Sequence, residues 1–184
     1  MDGDRSALTE FLSRLDCGSQ EDAIWGEGLA ELHIEAFITE LLPPREFVTS
    51  VRAVILADDS FLFARDQAGI LHLPGGRVES GETWDQALRR ELREEVGVEF
   101  DEMRLLGCIH YHHLKPRPPN WLHKYPDFVQ VVYSIRITVQ PETGFEPLDD
   151  WVVDTVKVAR NQLTGTNLSP THRLFVEAIN ESSL

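Results

Sequence analysis

Apolar residues recur at helical spacing in four stretches of this chain, which predicts four helices. The predicted helices cover residues 6–15, 21–42, 84–96 and a C-terminal stretch that begins at residue 170. The second is the longest, and its apolar positions are Ile24, Trp25, Leu29, Leu32, Ala36, Phe37 and Leu41. Pro43 and Pro44 end this helix, whereas Ser169 and Pro170 begin the last one as a cap and a first-turn proline.

Strands are predicted between these helices, where β-branched and aromatic residues are frequent. The predicted strands are Val48–Ala57, Phe61–Ala64, Ile70–Leu73, Met103–Tyr111, Phe128–Val139 and Trp151–Val153. Because strands stand on both sides of the helix at 84–96, the pattern indicates the α/β class. We expect residues 1–46 to form an N-terminal helical extension and residues 47–184 to form the main domain.

The balance of charge narrows the range of functions. The chain has 17 Lys and Arg residues against 31 Asp and Glu residues, which gives a formal net charge of −14 at pH 7. Nucleic-acid polymers and anionic membrane surfaces bind basic surfaces, so neither is an expected partner. No apolar run reaches the length of a membrane span, the N-terminus does not resemble a signal peptide, and Cys17 and Cys108 lack metal-type spacing. We therefore expect a cytoplasmic protein that acts on a small molecule.

Residues 76–98 carry the most informative motif. Its fixed positions are Gly76, Glu82, Arg90, Glu91, Glu94, Glu95 and Gly97, with aliphatic Leu92 and Val98. On the predicted helix, Glu91, Glu94 and Glu95 stand at i, i+3 and i+4, so three carboxylates share one side. Like charges at this spacing repel each other. A hard divalent cation that prefers oxygen ligands, Mg²⁺ or Mn²⁺ in its place, would remove that conflict.

A solvated helix face is the alternative explanation of this acidic run, since Glu and Arg are common on exposed helices. The preceding turn at residues 73–76 favours the ligand explanation, because two glycines indicate backbone that bends sharply and approaches a ligand closely. Thr83 and Gln86 have the spacing of a capping box at the start of the helix. Gly97 stands where a left-handed C-terminal cap is expected.

The spacing G-x5-E-x7-R-E-U-x-E-E-x-G-U, in which U is aliphatic, resembles the signature of the Nudix hydrolases, and every fixed position matches. The resemblance covers about residues 47–180. It implies the Nudix fold, a mixed β-sheet sandwiched between α-helices. It also implies a hydrolase that cleaves a nucleoside diphosphate linked to another group X, with Mg²⁺ as cofactor, Mn²⁺ as a substitute and water as the attacking group.

The same resemblance implies roles for the residues of the motif. Glu94 and Glu95 would bind the metal, and the carbonyl of Gly75 would supply a further ligand. Glu91 would either join them or act as the general base. Arg90 and Glu82 would form a pair that orients the carboxylates.

A further acid outside the motif often completes the metal site in relatives, commonly just before a tryptophan on a late strand. In this chain Asp149 and Asp150 precede Trp151. Asp150 is therefore a candidate metal ligand, and a solvated turn is the alternative explanation of the pair.

Residues 103–126 contain no acidic residue, although the chain has 31 of them. The stretch combines cations, histidines and aromatic residues: Arg104, Lys115, Arg117, Lys124, His110, His112, His113, His123, Tyr111, Trp121 and Tyr125. Cations attract phosphates and aromatic faces stack on bases, so Lys115, Arg117 and Trp121 are candidate substrate-binding residues. Arg65 is a further candidate, and an ordinary proline-rich surface connection is the alternative.

Two other functions stay open at this stage. The chain could be a catalytically silent nucleotide-sensing module, or it could catalyse an isomerisation on the same fold. Sensors of this kind usually lose residues of the motif, so the complete motif favours an enzyme. We expect the apolar stripe of residues 21–42 to pack on the domain or on a second copy of the chain, which allows a homodimer.

Overall fold

The computed structural model describes residues 5–25, 28, 30–117, 124–137, 145–148 and 151–181. The elements in chain order are α1 (Ser6–Leu12), β1 (Ser19–Trp25), β2 (Ala30–Ile38), β3 (Val48–Ala57), β4 (Ser60–Asp66), β5 (Leu71–His72), α2 (Trp84–Val96), β6 (Met103–His113), β7 (Asp127–Ile137), β8 (Val152–Ala159) and α3 (Pro170–Glu181). None of the helices in this described part has the length and apolar character needed to span a bilayer.

One mixed sheet of eight strands organises the molecule, in the order β1-β2-β6-β7-β3-β4-β5, with β8 paired to β4. Strands β3 and β7 run parallel to each other, and β6 runs antiparallel to β7. The beginnings of β3 and β7 and the end of β6 therefore meet at one end of the sheet. We call this end the site end, because the residues of the motif are placed beside it.

The helices cover both faces of the sheet. Helix α2 buries Ala87, Leu88 and Leu92 against one face, together with inward residues of β3 and β7. Helix α3 buries Phe175 and Val176 against the opposite face. Helix α1 adds a smaller cluster, in which its Leu8 and Phe11 pack on Phe37, Phe47, Cys108 and Val129. The predicted sandwich of a mixed sheet between helices is thereby confirmed.

The helix predicted over residues 21–42 is wrong, because this stretch forms strands β1 and β2. The two strands pair as an antiparallel hairpin, and β2 also pairs with β6, so both belong to the main sheet. Burial alternates along β2, with Leu32, Ile34 and Ala36 inside and their neighbours more exposed. This period of two was present in the sequence, but helix-favouring Glu, Ala and Leu residues and a matching 3.6-residue spacing obscured it. In the described part of the N-terminal extension, α1 is the α-helix, and Arg45–Phe47 form one short turn of 3₁₀ helix before β3.

The remaining elements follow the predictions with shifted bounds. Helix α1 is shorter than predicted, and β6 continues to His113. The final strand is much longer than predicted, since β8 extends to Ala159 and pairs along β4. Most residues of β8 are only partly buried or exposed, and the sequence of this strand lacks the continuous apolar run that marks a fully buried strand.

Candidate active site

The turn at residues 73–76, which we call the glycine loop, lies against the first half of β3. The amide of Val51 donates to the carbonyl of Gly76, and the amide of Ala53 donates to the carbonyl of Pro74, both at 2.9 Å. Gly75 has a φ of 129°, and a Cβ at this position would overlap the carbonyl oxygen of Val51. The glycine is therefore required by both conformation and space.

Gly76 is required for a different reason. A Cβ at this position would lie 2.5 Å from the carboxyl group of Glu91 on α2. The absence of a side chain allows the loop backbone and the Glu91 carboxylate to come into direct contact. The two adjacent glycines thus bring the loop backbone close to the carboxylate of Glu91. The close approach to a ligand that the sequence indicates stays a prediction.

Helix α2 begins and ends as predicted, which sets where its acidic residues stand. Thr83 accepts from the amide of Gln86 at 3.2 Å, and the Gln86 side chain accepts from the amide of Thr83 at 2.9 Å, which completes a capping box. Gly97 ends the helix with a φ of 65°. With the apolar stripe buried, the side that bears Glu91 and Glu95 faces the glycine loop.

Arg90 is the centre of an ion-pair network on α2. Its Nε and Nη2 donate to the two carboxylate oxygens of Glu82 at 2.9 and 3.0 Å. Its Nη1 donates to Glu91 at 2.9 Å and to Glu94 at 3.2 Å. The hydrogen bonds from Arg90 lower the pKa of Glu82 to about 2. The contact between Arg90 and Glu82 is the one expected of an orienting pair.

Two of the three helix carboxylates are buried, which is unusual for glutamate. Glu91 is 8% exposed and Glu95 is 2% exposed. Burial raises the pKa of Glu91, and the charge of Glu94 acts in the same direction, whereas Arg90 opposes both. Glu95 accepts from the amide of Gly75 at 2.7 Å, so it connects the helix directly to the glycine loop. The site therefore concentrates negative charge in a poorly solvated place.

The donor set fits a hard divalent cation in chemistry, since it consists of carboxylates and backbone carbonyls. Within the described ranges, no three His, Cys, Asp or Glu side chains form a coordination arrangement. The contacts explain this: Arg90 holds Glu91 and Glu94, and the loop amide holds Glu95. Oxygen ligands are present and adjacent, but their carboxylates are turned to protein donors.

The candidate ligand Asp150 and its neighbour Asp149 lie outside the described residues. The residues beside them have contacts with both parts of the site. The amide of Leu148 donates to the carbonyl of Glu94 at 2.8 Å, and the ring of Trp151 lies 4.5 Å from that of His72, just before the glycine loop.

The candidate substrate-binding residues are largely engaged with protein groups. Arg65 forms an ion pair with Asp154 through two of its nitrogens, with Nε at 2.9 Å from Oδ1. Lys115 forms an ion pair with Glu31 of β2. Arg117 is exposed, and Trp121 lies outside the described residues. The role of these residues in substrate binding stays a prediction.

The stretch at 103–126 contains no acidic residue, but acidic side chains from other parts of the chain contact its basic residues. Besides Lys115, side chains of this stretch with acidic partners are Arg104 with Glu40 at 2.8 Å, His110 with Glu35 at 3.2 Å and with Asp127 at 2.9 Å, and His112 with Asp127 at 2.8 Å. The ring of His113 faces Phe128 and Tyr125 instead. Adjacent His112 and His113 thus point to opposite faces, as expected of strand neighbours.

Three polar residues that the sequence did not single out lie on the α3 face near the glycine loop. They are Arg52, His72 and His172. Arg52 donates from Nη1 to the carbonyl of Leu73 at 3.0 Å, and the pKa values of His72 and His172 are lowered by burial and further by the charge of Arg52. One signal could have identified Arg52, because it is the only charged residue in the strand-forming run Val48–Ala57.

Comparison with known families gives one match that covers most of the chain. The NUDIX domain matches residues 46–178. Among curated proteins, the CTP pyrophosphohydrolase of Escherichia coli is 44% identical over 59 residues, which are 29% of this chain and 44% of that protein. The 8-oxo-dGTP diphosphatase of Haemophilus influenzae is 54% identical over 37 residues, 20% of this chain and 27% of that protein. The matched regions thus span less than half the length of these relatives.

Solved structures resemble the chain in fold. The Bacillus subtilis pyrophosphohydrolase BsRppH (E68A mutant) aligns with a TM-score of 0.57 at 15% identity, covering 88% of this chain and 97% of that one. The NUDIX domain of Shewanella oneidensis NrtR, in complex with ADP ribose, aligns with a TM-score of 0.58 at 19% identity, covering 78% and 94%. The family resemblance drawn from the motif and the fold it implies are confirmed.

Proposed function

The chain belongs to the NUDIX domain family, and from this premise we propose that it hydrolyses a nucleoside diphosphate linked to another group X. One observation carries the proposal. Two buried carboxylates on α2 are held against the glycine loop, Glu91 in the space that Gly76 leaves open and Glu95 on the amide of Gly75. Arg90 holds the third, Glu94, beside Glu91. A solvated helix face would leave these groups in water.

Members of this family typically depend on a divalent metal, and we propose Mg²⁺ for this chain, with Mn²⁺ as a substitute. Glu94, Glu95 and the carbonyl of Gly75 would hold the ion. A bound ion would neutralise phosphate charge and would lower the pKa of the attacking water.

The protein residues have separate tasks in this proposal. Glu91 would accept the proton of the attacking water, or would join the metal ligands. Burial raises the pKa of Glu91 above its ordinary value, which makes this carboxylate a better proton acceptor. Arg90 would keep Glu91 and Glu94 in position, and Glu82 would fix the direction of the Arg90 guanidinium through two hydrogen bonds.

We propose Asp150 as a further metal ligand. The contacts of Leu148 with α2 and of Trp151 with His72 support this proposal, because the chain approaches the site from both sides of Asp150. A carboxylate added here would reach a cluster that already contains the family's acidic residues.

Substrate recognition is proposed at the site end of the sheet. Strand β6 ends there at His113, and Lys115 and Arg117 follow it within the described residues. Trp121 lies outside the described residues and is proposed from the sequence alone. Arg65 lies near the end of β4. Two of the similar proteins are named for nucleotide substrates, CTP and 8-oxo-dGTP, which supports a nucleotide as the class of substrate.

The decisive experiment is a panel of nucleoside diphosphate sugars, dinucleotides, nucleoside diphosphate alcohols and oxidised nucleoside triphosphates. Each is incubated with the full chain and Mg²⁺, and phosphate-containing products are measured. We expect cleavage of at least one class, and loss of that cleavage in EDTA. Full turnover in EDTA would contradict the metal role. Binding of a panel compound without any product would indicate a sensing module instead of an enzyme.

A further inference from the structure

Arg52 is a partly buried cation without an acidic partner. It projects from β3 on the face that α3 covers, and its Nη1 donates to the carbonyl of Leu73. Its Nε is fully buried and has no hydrogen-bond partner, and no described carboxylate lies within ion-pair distance of it. A buried charge without a partner is costly, so native proteins almost always pair it.

Other arginines in the described ranges show the contrast. Arg5, Arg65 and Arg90 each form an ion pair with a carboxylate. The side chains of Arg5 and Arg65 do so although they are 46% and 43% exposed. The chain has 31 acidic residues, yet none of those that the structure describes pairs with Arg52. A cation in this position is available to an anionic ligand.

A second buried polar atom points to the same place. His172 near the start of α3 is 8% exposed, and its Nδ1 has no hydrogen-bond partner. Its ring centroid lies 6.0 Å from that of His72, whose Nε2 is 2.9 Å from Asp66. Burial, then the charge of Arg52, lowers the pKa of His172 to about 3, so this imidazole is neutral at pH 7 and adds no second cation.

The position of Arg52 relates this group to the carboxylates of the site. Its guanidinium is anchored on Leu73, two residues before Gly75, and its charge also acts on Glu91 across the glycine loop. Arg52 therefore contacts the loop at Leu73, and Glu91 contacts it at Gly76. A diphosphate bound at the loop would have one phosphate near the carboxylates and the other within reach of Arg52.

We propose that Arg52 is a substrate-binding residue, and that its guanidinium binds the phosphate of the diphosphate that lies on the α3 side of the glycine loop, next to the neutral imidazole of His172. The inference rests on the proposed function, since it names the anion as a substrate phosphate. An arginine suits this task because its fork of donors matches two phosphate oxygens.

Methylenediphosphonate is a suitable probe, because it carries two phosphorus groups that hydrolysis cannot separate. Its affinity for the full chain is measured by calorimetry with Mg²⁺ present. We expect Arg52→Gln to weaken binding at least about tenfold, as expected for loss of a charged hydrogen bond, and Arg52→Lys to give an intermediate value. Lys157→Gln is the matched control, since it removes one positive charge beside the β3–β4 turn, at the other end of the sheet. It should change the affinity less than about twofold.

Thermal unfolding without ligand separates binding from a structural role. Because Arg52→Gln removes a partly buried charge without an acidic partner, we expect its melting temperature to equal or exceed that of the wild type. A clear decrease would mean that Arg52 supports the fold. If Arg52→Gln does not fold, Arg52→Lys carries the test, and an unchanged affinity of that variant overturns the proposal.

The outcomes distinguish this inference from the proposed function. Affinity within about twofold for Arg52→Gln, or no binding by the wild type, overturns the inference even if the chain hydrolyses a panel compound. Binding that depends on Arg52, without hydrolysis of any panel compound, supports the inference and contradicts the proposed function.

Discussion

At the scale of single residues, the site depends on groups that have little freedom to move. Gly76 touches the carboxylate of Glu91, and Glu95 is bound to the amide of Gly75. Arg90 neutralises part of the charge of its three carboxylate partners. Substitutions of these carboxylates should lower catalytic activity more than the stability of the fold, because they remove negative charge from the site.

The metal ligands can be tested by replacing carboxylates with amides of the same shape. We expect Glu94→Gln and Glu95→Gln each to lower kcat/KM on the order of 10²-fold or more, because stabilisation of phosphoryl charge by a metal is worth several kcal/mol. Steady-state kinetics with Mg²⁺ measures the effect. Glu99→Gln is the control, since Glu99 only pairs with Arg93 on the surface. Near-normal activity of both site variants would contradict the ligand assignment.

The pair of Glu82 and Arg90 gives a prediction about pH. The pKa of Glu82 is lowered from 4.5 to about 2, so its contribution to stability is complete above pH 4.5 and is lost as the pH falls toward 2. The melting temperature of Glu82→Gln should therefore be lower than that of the wild type at pH 7, and the difference should narrow between about pH 5 and pH 3. A difference that stays constant over this range would show that the ion pair does not stabilise the fold.

At the scale of elements, the acidic helix α2 and the glycine loop are local constructions, whereas helix α1 depends on a distant partner. Arg5, at the start of α1, forms an ion pair of 2.5 Å with Asp127 of β7, which is fully buried. His110 and His112 of β6 also bind Asp127. Asp127 therefore joins one helix and two strands through a single carboxylate.

Asp127→Asn should destabilise the protein by about 3 kcal/mol, because it removes a buried charge and leaves Arg5 without its carboxylate partner. Denaturant unfolding measures the loss. The pKa of Asp127 is lowered, because the hydrogen bonds from His110 and His112 and the charge of Arg5 outweigh the opposing effect of burial. Its contribution should therefore disappear in acid, and the variant and the wild type should converge there. Asp16→Asn, at an exposed position, is the control and should be neutral within error.

At the scale of the whole molecule, strands β1 and β2 belong to the sheet that carries the site. Strand β2 pairs with β6 along seven residues, and Leu32, Ile34 and Ala36 contribute to the core under α3. The residues before the family match at 46–178 are therefore part of the same packed structure.

Deletion of residues 1–46 should expose the edge of β6 and the apolar residues that β2 covers, so the truncated chain should aggregate or form larger assemblies. Size-exclusion chromatography with light scattering measures the mass. Deletion of residues 1–17 is the matched control, because it removes α1 and keeps all the strands. A monomeric chain of residues 47–184 with normal stability and activity would show that β1 and β2 are dispensable.

The sequence by itself determined the elements whose signals are local. The capping box, the glycine at the end of α2, the apolar stripe and the acids at i, i+3 and i+4 all lie within a few residues of each other. The two adjacent glycines indicated a sharp bend and a close approach to a ligand, whereas the contact of Gly76 with Glu91 was not predicted. Local chemistry of this kind does not depend on which strands are neighbours.

Tertiary structure decided the rest, because strand pairing and ion pairing join residues that are far apart in sequence. Residues 21–42 satisfy a helical spacing, and only pairing with β6 makes them strands. The stretch at 103–126 is basic in sequence, yet acids of β2 and β7 neutralise much of it. Arg52 and His172 are 120 positions apart, and only the packing of α3 on β3 and its neighbours makes them one group.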